Sequence, residues 1–270
     1  MNKNLPLSNI VVLDLTNVLS GPFATQILSD LGAEIIKVEK PNGDDSRKFG
    51  PFIKKRSSYF ISLNRGKKSI VVDFNNEEDK KIFKKLLAIS DVIIDNFKPG
   101  TLEKYGFSSS YLKKNFPLLI QTKISGFGET GPLKENPAYD MIVQAMGGIM
   151  SITGKDKNET YRVGSSIGDI VAGLYAVIGV LTQIIFRNQS KKGSRLDLSM
   201  LDCQVAILEN AIARYSVEKK IPCPLGTDHP SITPFGAFKT LDGTLAIAIG
   251  NNKMFKDFCY SIKNEELCKK

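Results

Sequence analysis

The stretch YRVGSSIGDIVAGLYAVIGVLTQIIFR, residues 161–187, places one carboxylate, Asp169, where a loop of small residues gives way to a long apolar run. Gly164, Ser165, Ser166 and Gly168 have little or no side-chain bulk, so a reactive group can approach through backbone alone. From Ile170 to Phe186 nothing is charged, and only Thr182 and Gln183 are strongly polar. That composition predicts a helix apolar nearly all round, belonging in a core. An aspartate at its mouth gains from unpaired N–H groups and the helix dipole, which predicts a carboxylate ionised at neutral pH and able to act as a nucleophile. The plainer reading is that Asp169 caps the helix and does nothing else.

Other chemistries find less support. Cys203, Cys223, Cys259 and Cys268 lie far apart with no C-x-x-C pair, and His229 is the one histidine, so zinc-site spacing is absent and no metal is expected. His229 lies in DHPSITP, a Pro-flanked stretch that predicts a surface loop rather than a base for a serine or thiol nucleophile. The net charge of +9 comes mostly from lysine, in KK pairs spread along the chain. This predicts a solvated surface mildly attractive to phosphate-bearing ligands, not a nucleic-acid site. The first fifteen residues hold only a short apolar run, Ile10 to Leu13, predicted as a strand and not a signal peptide. The run from Ile170 to Phe186 is at the short limit for a membrane span and contains two glycines. A cytoplasmic protein without a membrane span is expected.

The elements that must position Asp169 alternate. Asn9 to Leu15 is strand-like, Phe23 to Leu31 has helical spacing, Gly32 sits at a helix-ending position and Glu34 to Glu39 is strand-like again. Ser69 to Phe74, Asp91 to Asp95, Leu118 to Ile124 and Leu196 to Met200 predict further strands. Glu77 to Ile89 predicts a helix with Ile82, Phe83, Leu86 and Leu87 on one side. Such alternation predicts an α/β fold: a Rossmann-like parallel sheet with helices on both faces, and ligands at the carboxyl ends of its strands. The loops to watch are 16–22, 40–47, 96–100 and 125–132. The last carries Gly126, Gly128 and Gly131 in the dinucleotide spacing, but Pro132 and a turn-like stretch follow where a helix should start, so NAD is not expected. A helix is predicted from Leu201 to Arg214, with Val205, Leu208 and Ile212 on one stripe. Beyond four prolines, AFKTLDGTLAIAIG predicts a hairpin. The expected domains are 1–220, a large α/β domain, and 225–270, the beginning of a second, smaller α/β domain.

The ordered blocks LSGPFATQILSDLGAEIIKVEKPNGDDSR, NRGKKSIVVDF, DNFKPGTLEKYGF, ISGFGETGP, YDMIVQAMGG and GSSIGD together resemble the class III CoA-transferases, the family of formyl-CoA transferase and carnitine CoA-transferase. The later piece HPSITPFGAFKTLDGTLAIAIGNNKMF is most similar to members that move CoA among short dicarboxylates such as succinate or glutarate.

The resemblance implies that Asp169 forms covalent acyl and CoA intermediates, with coenzyme A as substrate and carrier. It implies that Val18 and Leu19 flank the thioester and that Lys40, Val72, Asn96, Phe97, Lys104 and Tyr105 contact CoA. Two lysines can meet phosphate, and Phe97 can offer a ring face. Tyr139 joins that set; it stands where the family's racemase branch has histidine, so racemisation would lose its partner base. The expected activity is transfer of CoA from an acyl-CoA to a small carboxylic acid, and the alternatives are an acyl-CoA racemase of the same family or an inactive, C-terminally short CoA-binding protein. Family chains continue past this length through a segment returning to the first domain and form interlocked homodimers. A homodimer is expected here, without that segment to complete the interlock.

Overall fold

Short apolar segments pair side by side and the helices between them cover both faces of the sheet. The computed structural model describes residues 5–269. In its first half the chain runs β1 (Val11–Asp14), α1 (Ser20–Asp30), β2 (Glu34–Glu39), β3 (Phe52–Ile53), β4 (Arg56–Ser57), α2 (Ser58–Asn64), β5 (Lys68–Val71), α3 (Glu77–Ile89), β6 (Val92–Asp95), α4 (Thr101–Lys104), α5 (Ser109–Asn115) and β7 (Ile120–Ser125). It continues through α6 (Asp140–Met146), β8 (Gly154–Asp156), β9 (Glu159–Thr160), α7 (Ile167–Ser190), β10 (Arg195–Ser199), α8 (Met200–Ala206), α9 (Asn210–Glu218), β11 (Phe235–Lys239), β12 (Thr244–Ala248) and α10 (Asn252–Ser261).

Six strands form one sheet in the order β10-β7-β6-β1-β2-β5, every pair parallel. Strand order runs outward in one direction through β1, β2 and β5 and in the other through β6, β7 and β10. The switch point, where a doubly wound sheet opens a crevice for ligands, therefore lies between β1 and β6.

One face of the sheet is covered by α1 and α7, which bury Ala24, Leu28, Val171, Ala172, Ala176 and Val180 against Val12, Ile35, Ile94 and Ile120. The other is covered by α3, α4 and α5 through Phe83, Leu87, Leu102 and Leu112, packed with Leu13, Val38 and Ile93. Each such side chain contributes about 1.5–3 kcal/mol on burial. Helix α3 starts where Asn76 accepts from the N–H groups of Glu78 and Asp79, with three acidic residues in its first turn.

The chain divides into two compact units: the sheet unit runs through Gly147 and resumes at Gly164–Glu209, and the other unit comprises Gly148–Val163 and the chain from Asn210. The second unit contains the β11–β12 hairpin, paired from Phe235–Ala248 to Lys239–Thr244, and the small β8–β9 hairpin, where the Gly226 N–H donates to the Gly154 carbonyl at 3.0 Å.

Two helical expectations are corrected. The helix expected over 201–214 is broken, with Glu209 at φ +38° between α8 and α9, and Val205 and Ile212 are exposed rather than forming a core stripe. Within that stretch only Cys203 and Gln204, both in α8, are buried. Helix α7 is apolar all round in sequence but buried on one side only: Ala172, Ala176 and Val180 face the sheet while Leu174, Ile178, Ile185 and Phe186 are exposed. It is long and apolar enough to cross a membrane by length and composition. A helix laid on a sheet covers it with one stripe, and sequence hydrophobicity does not say how many sides are covered.

Candidate active site

Asp169 is not a cap. Helix α7 opens at Ile167, so Asp169 is its third residue, and the capping contact comes from Asp140, whose Oδ1 accepts from the Gly168 N–H at 2.8 Å. The Gln144 amide donates to Asp140 Oδ2 at 2.8 Å. Gly168 is small for this reason rather than to admit a ligand: a Cβ there would lie 2.6 Å from Val143 Cγ2 and 3.0 Å from Asp140 Oδ1.

The half-buried Asp169 carboxylate also meets a second helix start. Ser20, the first residue of α1, lies close enough for its hydroxyl and its backbone N–H to favour the ionised carboxylate. That N–H is one of the orphan donors of a helix N-terminus, so Asp169 lies beside one helix start while sitting in the first turn of another. Gly173, one turn further along α7 on the same side, lets α1 come this close: its Cβ would stand 2.8 Å from the Ser20 carbonyl.

Donors and dipoles do not win outright. Burial first, and then the neighbouring Asp140 charge, push the Asp169 carboxyl up to about 6, against the opposing pull of Ser20. The ionised state expected from the helix start therefore holds near pH 7, but by a narrower margin than a helix N-terminus alone would give.

The loop from β1 to α1 carries the strongest backbone signal in the sheet unit. Val18, a β-branched residue, adopts φ +66°, a conformation that costs about 1–3 kcal/mol and persists only where surroundings impose it. The Asn17 N–H donates to Asn96 Oδ1 and the Asn96 amide donates to the Asn17 carbonyl, both at 2.8 Å, which ties the ends of β1 and β6 together at the switch point.

Residues 7–270 match the description CoA-transferase family III. The chain belongs to CoA-transferase family III. Among relatives of this family III chain, the acetyl-CoA:oxalate CoA-transferase of Acetobacter aceti is 42% identical over 264 residues, covering 97% of this chain and 68% of that protein. The succinyl-CoA:glutarate CoA-transferase of Mus musculus is also 42% identical over 264 residues, with 97% and 61% covered. The chain thus spans about two thirds of the length of these curated relatives. A CAIB/BAIF family protein from Brucella suis has a solved structure that superposes with a TM-score of 0.89 at 40% identity, covering 99% of this chain and 72% of that one.

In this family III chain the residues expected from sequence fall into four groups. Val18, Leu19, Lys40, Asn96 and Phe97 follow the carboxyl ends of β1, β2 and β6, three neighbouring strands. Lys40 is exposed and pairs with Asp45 at 2.8 Å, and Phe97 is half-buried. Val72 follows β5, but its side chain is fully buried in the second core, so only its backbone can face a ligand. Lys104, at the end of α4, is exposed, while Tyr105 stacks on Phe74 with ring centroids 5.2 Å apart. Tyr139 precedes α6 and is 80% exposed. His229 lies in a loop of the second unit, its Nδ1 accepting from the Ser231 N–H at 3.1 Å.

Four residues that bear on the site escaped sequence reasoning: Ser20, Asp140, Gly173 and Tyr59. Burial, and then the Asp169 and Asp44 charges, raise the Tyr59 phenol above its ordinary value, which puts it within electrostatic reach of the carboxylate. Only Gly173 left a signal in the sequence, a residue without a side chain four positions after the aspartate.

Proposed function

We propose that this chain transfers CoA from an acyl-CoA to a free carboxylic acid, with Asp169 as the covalent nucleophile. The observation carrying this is a half-buried carboxylate at the junction of two helix starts, beside a strained loop at the sheet's switch point. Attack of the Asp169 carboxylate on the thioester carbonyl breaks the C–S bond, releases CoA thiolate and leaves a mixed anhydride. The thiolate then attacks the aspartyl carbonyl, expelling the first acid as carboxylate and forming an aspartyl-CoA thioester. The acceptor carboxylate attacks that thioester, thiolate leaves again, and its attack on the acceptor carbonyl yields the new acyl-CoA and restores Asp169. Each bond made balances one broken, and the thioester's energy is conserved through the exchange.

The relatives' substrates, with oxalate and glutarate among the acceptors, support a short dicarboxylate as one partner here. In this reading the exposed Lys40 and Lys104 meet phosphate groups of CoA as point charges and Phe97 offers a ring.

Incubation with acyl-CoA, quenching and peptide mass analysis tests the proposal. The expected result is a hydroxylamine-labile adduct on the 164–187 peptide and loss of transfer by several orders of magnitude in Asp169→Ala, with CoA still bound. Transfer by the alanine variant at close to the wild-type rate would overturn it. In deuterated water, a branched acyl-CoA is expected to gain no α-deuterium while CoA exchange proceeds; rapid α-exchange without transfer would favour a racemase.

A further inference from the structure

The loop that delivers Ser20 to Asp169 is held from beneath by charges that touch neither Asp169 nor the surface. Lys37 stands in the middle of β2 with its side chain 1% exposed, and its Nζ pairs with Asp44 Oδ2 at 2.9 Å, a carboxylate with no exposure at all. Lys37 Nζ also donates to the Thr16 carbonyl at 2.7 Å. Asp44 Oδ1 accepts from the Val18 N–H at 3.3 Å and from the Ser46 N–H and hydroxyl at 2.9 and 2.6 Å. Asp14 Oδ1 accepts from the Thr16 N–H and hydroxyl at 2.9 and 2.5 Å. The loop is thus gripped at Thr16 and Val18 by Lys37 and Asp44, and at Asn17 by Asn96, immediately before Ser20.

Burying an ammonium and a carboxylate together is rarely the most stabilising use of two positions, since apolar residues of the same volume often serve stability as well or better. A pair kept here despite that, and bonded to the backbone on both sides of a left-handed valine, has a geometric role. We propose that Lys37 and Asp44 are positioning residues: the pair holds the backbone of residues 16–20 in the bent form that sets the Ser20 donors on Asp169. Its catalytic consequence rests on Asp169 being the nucleophile, but its structural content does not.

The groups acting on Asp169 itself are Asp140 and Ser20, with Tyr59 within reach of its charge, so removing Lys37 and Asp44 together leaves those in place. The variant Lys37→Met/Asp44→Leu deletes both charges and the grip on Thr16 and Val18. Lys37→Met/Asp44→Asn deletes the charges but keeps an acceptor for Val18 and Ser46. The readout is the titration of the Asp169 carboxyl, followed by carbon NMR on aspartate-labelled protein and assigned with Asp169→Asn, which needs no turnover.

The Leu pair is expected to raise the Asp169 pKa by about half a unit as the Ser20 donors withdraw, and the Asn pair to bring it back towards wild type. In a Ser20→Ala background, where only the backbone N–H of residue 20 is left to withdraw, the Leu pair is expected to add a smaller shift. Where transfer is measured, kcat is expected to fall by about a hundredfold with KM for acyl-CoA nearly unchanged, as for a misplaced catalytic group. An unshifted titration, or the same shift with Ser20 absent, overturns the proposal. Should the Leu pair fail to fold, Asn96→Ala cuts the loop's other anchor without touching the buried charges; a raised Asp169 pKa supports the positioning role and an unchanged one overturns it. Failed transfer in wild type alongside the expected titration would count against the nucleophile and not against the loop.

Discussion

At Asp169 opposing influences meet in one carboxyl group: two helix starts and Ser20 favour the charge, while burial and Asp140 oppose it more strongly. Its folded pKa of about 6 stands above the ordinary 3.8, so the folded state holds this proton more tightly than the unfolded chain does. The group therefore stabilises the fold below about pH 4 relative to neutral pH, and that contribution is lost as pH rises through about 6. Asp169→Asn is expected to raise Tm by a few degrees at pH 7.5 while abolishing transfer, and to match wild type only below the ordinary carboxylate pKa of 3.8; calorimetry on either side of the 3.8-to-6 window checks this. If Asp169 is the nucleophile it must be ionised to attack, and kcat/KM is then expected to fall below about pH 6. Asp140→Asn, by removing the like charge, is expected to move that acid limb lower; pH–rate profiles of the two proteins decide it. Asp169 was legible in the sequence because composition changes abruptly around it. Its partners were not, since Ser20 and Asp140 reach it across about 150 and 30 residues of chain, and nothing local marks a serine or aspartate that will be brought there by packing.

Among the elements, α7 has the largest share of the site and was the most readable in position: an uncharged run of such length permits little but a helix. Which of its small residues mattered was not readable. Gly168 and Gly173 are excluded from carrying side chains by Val143 and by the Ser20 backbone, whereas a Cβ at Gly179 meets only Leu196 Cδ1 at 3.1 Å, the end of a flexible side chain. Gly173→Ala is expected to destabilise by about 1–3 kcal/mol through forced separation of α1 from α7, and to reduce kcat as Ser20 withdraws. Gly179→Ala is expected to be close to neutral or slightly stabilising, from its better helix propensity. Denaturant melts of the two variants test the contrast. The break between α8 and α9 went unseen because the residues of 207–210 contain neither Gly nor Pro, and a non-glycine at φ +38° leaves no compositional mark.

For the whole molecule, the parallel sheet followed from alternating periods in the sequence, and its strand bounds are met to within three residues. The division into units did not follow, because the second unit takes in the 148–163 segment from between α6 and α7, and a discontinuous unit is invisible to any reading that proceeds from left to right. Chain order has a consequence for synthesis. Five of the six sheet strands, β1 to β7 without the hairpin strands, leave the ribosome before α7 does, and until α7 emerges α1 is the one long helix over the face formed by Val92, Ile94, Ile120 and Ile124. That nascent face is aggregation-prone. A chain ended after Gly147 is expected to scatter light and bind a hydrophobic dye, and one ended after Glu209 to stay dispersed, as expression of the two would show. The helix that carries the proposed nucleophile is thus also the lid of the sheet, so a translation stalled ahead of it yields a substrate for chaperones and proteases rather than a folded but idle enzyme.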